Sequence, residues 1–294
     1  MFKILLLGKF GQLGWELLRS LAPLGQVTAV DFPEIDLVHG EQLPVLVRDC
    51  QPQVIINATA YTAVDRAESE PELAMAINAG APGLMAELAA QCGAAFIHFS
   101  TDYVFDGQKS SPYVETDPTN PLNIYGRSKL EGEKTALQAH SKSLIFRTSW
   151  VYSLRKESFV TKVLAWSRQH KTLRVVSDQV SNPTWARMLA EITAQVVARG
   201  GRQPAGWLNE RGGVYHLAGS GYASRLEWAQ AILRFDPRPE EQTTTELLPA
   251  STTDFPTPAA RPLFSALDCS LFESVFDLYL PNWLPSLKLA MDLS

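Results

Sequence analysis

The sequence predicts an α/β protein: a doubly wound parallel sheet followed by a smaller C-terminal α/β lobe. Three observations predict it. Short apolar runs alternate with longer segments of helical period, a glycine-rich turn separates the first run from the first such segment, and the alternation becomes irregular beyond about residue 150. A chain of 294 residues buries a large core and suits one α/β unit with an appended lobe better than two equal domains.

Strands are predicted at 3–7, 27–31, 54–58, 95–100 and 144–147, whose run-on apolar character is that of strands covered on both faces. Between them, helices are predicted at 11–21, 41–49 with Leu43, Leu46 and Val47 on one stripe, 70–92, which is rich in alanine, and 123–139. The segment 110–122, rich in Pro, Ser, Thr and acid, is a loop leading onto the last of these. Farther on, helices are expected at 158–169, 185–199 and 225–235, and short strands at 173–176, 213–217 and 245–248. Four prolines keep 249–262 from regular helix. The division falls at 1–150 for the first unit and 151–294 for the lobe, part of which returns to the first unit.

The net charge of -5 and the acidic pI near 5.6 argue against a nucleic-acid surface, which needs clustered Lys and Arg to neutralise phosphates. No apolar stretch is expected to reach the roughly 20 residues that span a bilayer, and the start Met1-Phe2-Lys3-Ile4-Leu5-Leu6-Leu7-Gly8 reads as a strand, not a signal peptide. Cys50, Cys92 and Cys269 are odd in number and widely spaced, which suggests neither a disulfide framework nor a zinc site and points to a reducing cytoplasm. Asn57-Ala58-Thr59 matches the glycosylation pattern but lacks the secretory context it needs.

The stretch Gly8-Lys9-Phe10-Gly11-Gln12-Leu13-Gly14 follows the first strand as a phosphate-cradling turn does. Gly8 permits the bend, Gly11 lets backbone approach a pyrophosphate, and Gly14 lets the helix pack close, so that the helix amino terminus faces the anion. Asp31, about 20 residues on, is placed to accept hydrogen bonds from an adenosine ribose. This is the pattern of a Rossmann dinucleotide site. The Asp31 carboxylate favours NADH by repelling a 2′-phosphate, while Lys9 offsets that repulsion, so NADPH or NADH is expected. The small residues of Asn57-Ala58-Thr59-Ala60-Tyr61-Thr62 allow backbone to lie close to a flat cofactor. His98 and His216 sit in apolar strands and read as core histidines.

Tyr125 and Lys129 stand four residues apart in Tyr125-Gly126-Arg127-Ser128-Lys129, on one face of a helix. A phenol with its ordinary pKa of about 10 is a poor donor at neutral pH, and a neighbouring ammonium favours its ionised form. The expected mechanism has Lys129 lowering the phenol pKa and holding the nicotinamide ribose. Tyr125 then protonates a carbonyl oxygen as hydride arrives, and Thr101, in Ser100-Thr101-Asp102-Tyr103, hydrogen-bonds the same oxygen. Together these pieces read as a nicotinamide-dependent reductase or epimerase.

The chain closely resembles the extended short-chain dehydrogenase/reductase superfamily and, within it, reductases of dTDP-sugars. Carrying the resemblance are the glycine turn running on into Trp15-Glu16-Leu17, the stretch from Asn57 through Ala63-Val64-Asp65-Arg66-Ala67-Glu68, and Ser100-Thr101-Asp102-Tyr103-Val104-Phe105. Pro121-Leu122-Asn123-Ile124 leading into the tyrosine–lysine pair, Phe146-Arg147-Thr148-Ser149-Trp150-Val151-Tyr152 and Pro256-Thr257-Pro258-Ala259-Ala260-Arg261-Pro262 complete it. The turn and the tyrosine–lysine stretch are generic to the superfamily; the second, fifth and sixth stretches are narrower marks.

The resemblance implies a catalytic triad of Thr101, Tyr125 and Lys129, with Thr101, Asp102 and Trp150 touching the sugar and Arg261 binding a diphosphate. It implies a cofactor bordered by Gly8, Phe10, Gly11, Gln12, Leu13, Gly14, Asp31, Ala60, Tyr61, Thr62, Tyr125 and Lys129, with Asp36 and Leu37 flanking the adenine. The implied reaction reduces dTDP-4-dehydro-β-L-rhamnose at C4 to dTDP-β-L-rhamnose, in the cytoplasmic synthesis of a cell-surface sugar. Some relatives are described as homodimers with Mg²⁺ held by glutamates at the interface; Glu16 matches one such position, and Arg187 stands where another acid would be wanted. A dehydratase of the superfamily commonly carries a glutamate after the Thr-Asp pair, where this chain has Tyr103. A 3,5-epimerase-reductase on another nucleotide sugar and a non-catalytic regulatory subunit are the remaining alternatives, and the complete triad argues against the second.

Overall fold

A computed structural model describes residues 2–292. In chain order its elements are β1 (Phe2–Leu7), α1 (Gln12–Leu21), β2 (Gly25–Val30), α2 (Leu43–Cys50), β3 (Val54–Asn57), α3 (Val64–Ala67), α4 (Pro71–Met75), α5 (Ala81–Cys92) and β4 (Ala95–Thr101). There follow α6 (Ile124–Ala139), β5 (Leu144–Thr148), β6 (Val151–Tyr152), α7 (Phe159–Ser167), β7 (Thr172–Val176), β8 (Val180–Ser181), β9 (Thr184–Trp185) and α8 (Ala186–Arg199). The chain ends with α9 (Pro204–Asn209), β10 (Gly213–His216), β11 (Ala223–Ser224), α10 (Arg225–Arg234), β12 (Glu246–Ala250), α11 (Ser270–Phe276) and α12 (Trp283–Asp292).

Six strands form one parallel sheet in the order β10-β5-β4-β3-β1-β2. The chain leaves β1 to one side for β2 and to the other for β3, so the switch of direction lies beside β1, where an open α/β sheet offers a crevice at its carboxyl ends. Both faces are covered, as the apolar strands require. Ile4, Leu6, Ile56 and Ile97 face Leu13, Leu17 and Leu21 of α1 and Leu189, Val196 and Val197 of α8. Leu5, Leu7, Ile55 and Phe96 face Leu43 and Val47 of α2, Met85 and Ala89 of α5 and Ala136 of α6. Each fully buried Leu or Ile is worth about 1.5–3 kcal/mol, which makes this double-sided core the main stabilising element.

The lobe has its own core, in which Tyr152, Val160, Trp185, Trp228 and Leu287 are buried together. Its small sheets are two-stranded: β6 with β9, β7 with β12, and β8 with β11. The chain does return to the first unit. β10 pairs with β5 from Gly213 against Leu144 to His216 against Arg147, and α11 docks Phe272 and Phe276 onto Phe146.

Several elements differ from expectation. The second strand starts at Gly25 and ends at Val30, so Asp31 lies just beyond it. The helix expected over 70–92 is interrupted by a π turn at Ala76–Gly80, where Asn78 turns its side chain to Tyr61 backbone and to Ser128. That stretch, Pro71–Cys92, also corrects the expectation about apolar segments: at 22 residues and mean hydropathy 1.3 it is long and apolar enough to cross a membrane, yet half of its window is buried inside the protein. The strand expected at 245–248 runs on through Pro249, which an edge strand tolerates because its ladder is one-sided. Helices α9, α11 and α12 were not expected; the first two are short, and α12 is as long as α1. The cysteines are free, and Asn57 is fully buried, out of reach of glycosylation.

Candidate active site

A cleft of about 1030 Å³ opens at the carboxyl ends of the sheet strands, lined by the glycine turn, the ends of β3, β4 and β5, the start of α6 and Arg225 of the lobe. The turn is closed by sterics. Gly8 has φ +95°, and a Cβ there would stand 2.8 Å from the Ala58 carbonyl carbon; a Cβ at Gly14 would stand 1.8 Å from the Gly8 carbonyl oxygen. The first turn of α1 has no side-chain cap, and the Gln12 Oε1 is buried without a partner, so the amino end of the helix keeps polar capacity for a ligand. Gly14→Ala is expected to lower stability by about 1–3 kcal/mol, read as a fall in Tm, because the turn must shift to admit the methyl group. An unchanged Tm would mean the turn is looser than this packing.

Asp31 binds the turn itself: its Oδ2 accepts from Phe10 N–H at 2.8 Å and its Oδ1 from Phe32 N–H at 2.8 Å. Lys9 is paired with Glu34 at 2.6 Å, so its charge is not turned on Asp31. Gly8, Gly11, Gln12, Leu13, Asp31, Asp36, Leu37, Ala60, Thr62, Tyr125 and Lys129 line the cleft. Phe10, Gly14 and Tyr61 do not. Gly14 is consumed in helix packing, and Tyr61 turns its hydroxyl to Glu70.

Asn123 caps α6 by accepting from Gly126 N–H at 2.7 Å, and its amide donates to the Ala260 carbonyl at 2.7 Å, which ties the helix start to the proline-rich loop. This places Tyr125 against Tyr103, ring centroids 5.8 Å apart and edge to face, with the Thr101 hydroxyl hydrogen-bonded to the phenol. Thr101 Oγ1 also donates to Asp102 Oδ1 at 3.1 Å. Burial raises the Tyr125 pKa well above its ordinary value.

The expectation that Lys129 acidifies the phenol is corrected here. Although the two residues share a helix face, the lysine stem reaches back to β4, where its Nζ donates to the Phe99 carbonyl at 2.6 Å and lies 3.2 Å from His98 Nε2. Burial lowers the lysine to about 7. His98 and His216 are both buried core histidines, as expected, but His98 touches the site. The Ser100 hydroxyl is turned away, donating to Glu133 at 2.5 Å.

Asp102 is buried and pushed up to about 6 by burial, against hydrogen bonds from Ser265, Ser181 and Thr101. Trp150 sits at the cleft with φ +41°, a backbone conformation rare outside glycine, held because its ring stacks on Trp228 at 5.3 Å and lies 3.6 Å beneath the Arg225 guanidinium. Arg225 is the residue sequence reading missed. Burial pulls it to about 10, it hydrogen-bonds Tyr103 and faces Asp102, and it forms no salt bridge among the described residues. The only signal for it was its place at the first position of a lobe helix behind Ser224. Arg261, expected at a diphosphate, does not line the cleft; it forms a two-pronged pair with Asp65 at 3.0 and 2.8 Å.

Glu16 is bound by Arg19 at 3.1 Å, and Arg19 and Arg187 both pair with Glu191, so these carboxylates are already neutralised. Among the described residues no three His, Cys, Asp or Glu side chains cluster as metal ligands would, and the magnesium expectation finds no support in this donor set.

The model of the family described as RmlD substrate binding domain matches residues 2–294. A dTDP-4-dehydrorhamnose reductase of Burkholderia thailandensis is 42% identical over 284 residues, 96% of this chain and 95% of that one. One of Salmonella typhimurium is 43% identical over 287 residues, 95% and 94% of the two chains. Among solved structures, a dTDP-4-dehydrorhamnose reductase from Bacillus anthracis in complex with NADP is similar at TM-score 0.90 and 30% identity, covering 100% of this chain and 99% of that one.

Proposed function

The chain belongs to the RmlD substrate binding domain family, and from that premise we propose that it is a dTDP-4-dehydrorhamnose reductase, reducing dTDP-4-dehydro-β-L-rhamnose at C4 to dTDP-β-L-rhamnose with NAD(P)H. The observation that carries the reading is one cleft that brings the phosphate-cradling turn together with Thr101, Tyr125 and Lys129. Residues 1–150 then hold the cofactor, and 151–294 supply Trp150's neighbours and Arg225 toward the sugar nucleotide.

The nicotinamide cofactor supplies hydride. Gly8, Gly11 and the amino end of α1, which line the cleft, would hold its pyrophosphate, and Asp31, Asp36 and Leu37 would border its adenosine end. Tyr125 gives its phenolic proton to the C4 oxygen. Its raised pKa suits this task, because the phenol stays protonated until an alkoxide, a stronger base than a phenolate, develops beside it. Thr101 hydrogen-bonds the same oxygen once its one hydroxyl proton turns from Asp102 to it, and Lys129 is the residue that would hold the nicotinamide ribose. Arg225, a cation in the cleft wall that faces Asp102 but forms no salt bridge among the described residues, takes the substrate diphosphate in place of Arg261. Arg225→Gln is expected to raise KM for the sugar nucleotide about 10–100-fold, the equivalent of a charged hydrogen bond, with a smaller change in kcat. An unaltered KM would remove Arg225 from the diphosphate.

The test is NADPH and NADH oxidation with dTDP-4-dehydro-6-deoxy-D-glucose, with and without a matching 3,5-epimerase. Oxidation only with epimerase present is the expected result, and the two rates rank the cofactors. No oxidation in either tube, with cofactor binding measured separately, overturns the reading.

A further inference from the structure

Among the described residues, eight buried side-chain polar atoms have no hydrogen-bond partner, and two of them, Gln12 Oε1 and Thr148 Oγ1, belong to residues that line the cleft. Gln12 stands at the amino end of α1, where the phosphate-cradling turn already asks for a ligand. Thr148 is a separate case. It ends β5, it is 7% exposed, and the reduction as described makes no use of its hydroxyl. A buried hydroxyl without a partner costs stability, and a strand position that needs only bulk is filled equally well by valine, which has the same shape and no polar atom. The hydroxyl of Thr148 therefore points to a bound group and not to the fold.

Its place decides which group. Thr148 is the register partner of Thr101 on the neighbouring strand. Paired strands lie about 4.8 Å apart, so Thr148 stands one strand over from the residue that meets the reacting oxygen. Side chains two apart on a strand share a face, and Thr148 continues the row of Leu144 and Phe146, which are buried beneath α1 and α8. Leu13 of α1, Phe99 of β4 and Val151 of β6 belong to that core or pack on it, and they also line the cleft. The wall on this side is thus apolar with one free hydroxyl. The neighbouring hydroxyls are taken: Ser149 donates to the Asn182 carbonyl at 2.7 Å, Ser100 to Glu133 at 2.5 Å and Thr101 to Asp102 at 3.1 Å. A flat ring with a single amide substituent matches such a wall, whereas a sugar with hydroxyls around its ring, or a phosphate, would leave most of its polar atoms against hydrocarbon.

We propose that the Thr148 hydroxyl binds the carboxamide of the nicotinamide cofactor and so fixes the rotation of the ring beside Thr101; this rests on the reading of the cleft as a nicotinamide-dependent reductase site. The chemistry suits both partners. A hydroxyl both donates and accepts, and a carboxamide offers a carbonyl oxygen and an NH₂ group, so either end of the amide satisfies Thr148. Without the hydroxyl, the amide is buried against hydrocarbon with that hydrogen bond unmade, and the ring is held by its apolar contacts alone.

The test compares calorimetric dissociation constants for NADH, NADPH and ADP-ribose, the last of which keeps the adenosine, pyrophosphate and second ribose of NADH but has no nicotinamide. Thr148→Val is expected to weaken NADH and NADPH binding by about 5–100-fold, the range for a buried amide left without its partner. ADP-ribose should bind as before, and Tm should stay level or rise, because the hydroxyl bonds nothing in the protein alone. Thr148→Ser keeps the hydroxyl and should bind NADH more tightly than the valine variant, while Thr148→Ala carries the test if valine is not tolerated. Unaltered NADH and NADPH binding in the valine variant would overturn the proposal, as would equal weakening of NADH and ADP-ribose. A raised KM for the sugar nucleotide with an unchanged NADH dissociation constant would do the same, by assigning the hydroxyl to the sugar. Because the comparison needs no turnover, a protein that binds NADH and ADP-ribose but reduces no dTDP-sugar would sink the reductase reading and still decide what Thr148 holds.

Discussion

Tyr125→Phe is expected to lower kcat by about 10²–10⁴-fold, the usual contribution of a positioned proton donor, while the protein folds and binds its cofactor as before. The ring keeps its edge-to-face contact with Tyr103 at 5.8 Å, and the residue sits behind a helix cap, Asn123, that the substitution does not touch. Only the hydroxyl is lost, and its partner Thr101 retains Asp102. The check is kcat and KM from NAD(P)H oxidation, with cofactor affinity and Tm measured alongside. Turnover within a few-fold of wild type would place proton donation elsewhere, and Asp102 is the next group in reach. Its carboxyl, pushed up to about 6, carries a proton only below that value, so a donor role for Asp102 would make the rate fall as pH rises through about 6. A tyrosine donor, whose pKa is raised, predicts no such fall there.

How much of this was legible in the sequence depends on whether a residue's role is local. The glycine turn, the five early strands and the helix that carries Tyr125 are set by short-range sterics and apolar patterning, and they read correctly to within two residues, although the cap at Asn123 was not foreseen. Spacing alone also placed Tyr125 and Lys129 on one face of α6. It did not reveal that the lysine stem turns back to the Phe99 carbonyl, because that contact joins positions 30 apart in the chain. Arg261 and Arg225 make the same point. Both are arginines near a proline or serine boundary, and only the fold shows that Asp65 claims the first and that aromatic rings hold the second beside the cleft. The short helix α11 carries Phe272 and Phe276 on too few turns to display a period, so its existence follows from the aromatic cluster around Phe146 that it completes.

The largest stability effect is expected at the ion pair beneath the site. Arg147 donates to Glu133 through Nε at 2.9 Å and Nη2 at 2.7 Å, and both side chains are almost wholly buried. Arg147→Met leaves a buried carboxylate without its cation, and the loss should be about 3–5 kcal/mol in denaturant unfolding. Adding Glu133→Leu should recover most of that loss, because two apolar groups of similar size pack without the desolvation cost of either charge. The pair nevertheless has a use that stability does not measure. Glu133 joins Arg147 of β5 to Ser100 of β4 and stands one turn from Lys129, so it fastens the helix bearing Tyr125 to the strand bearing Thr101. The double variant should therefore regain its stability and still turn over more slowly than wild type. A single variant within about 1 kcal/mol of wild type would show that Glu133 finds solvent or another partner. A double variant with full turnover would show that the apolar contacts of α6 alone hold Tyr125 against Thr101.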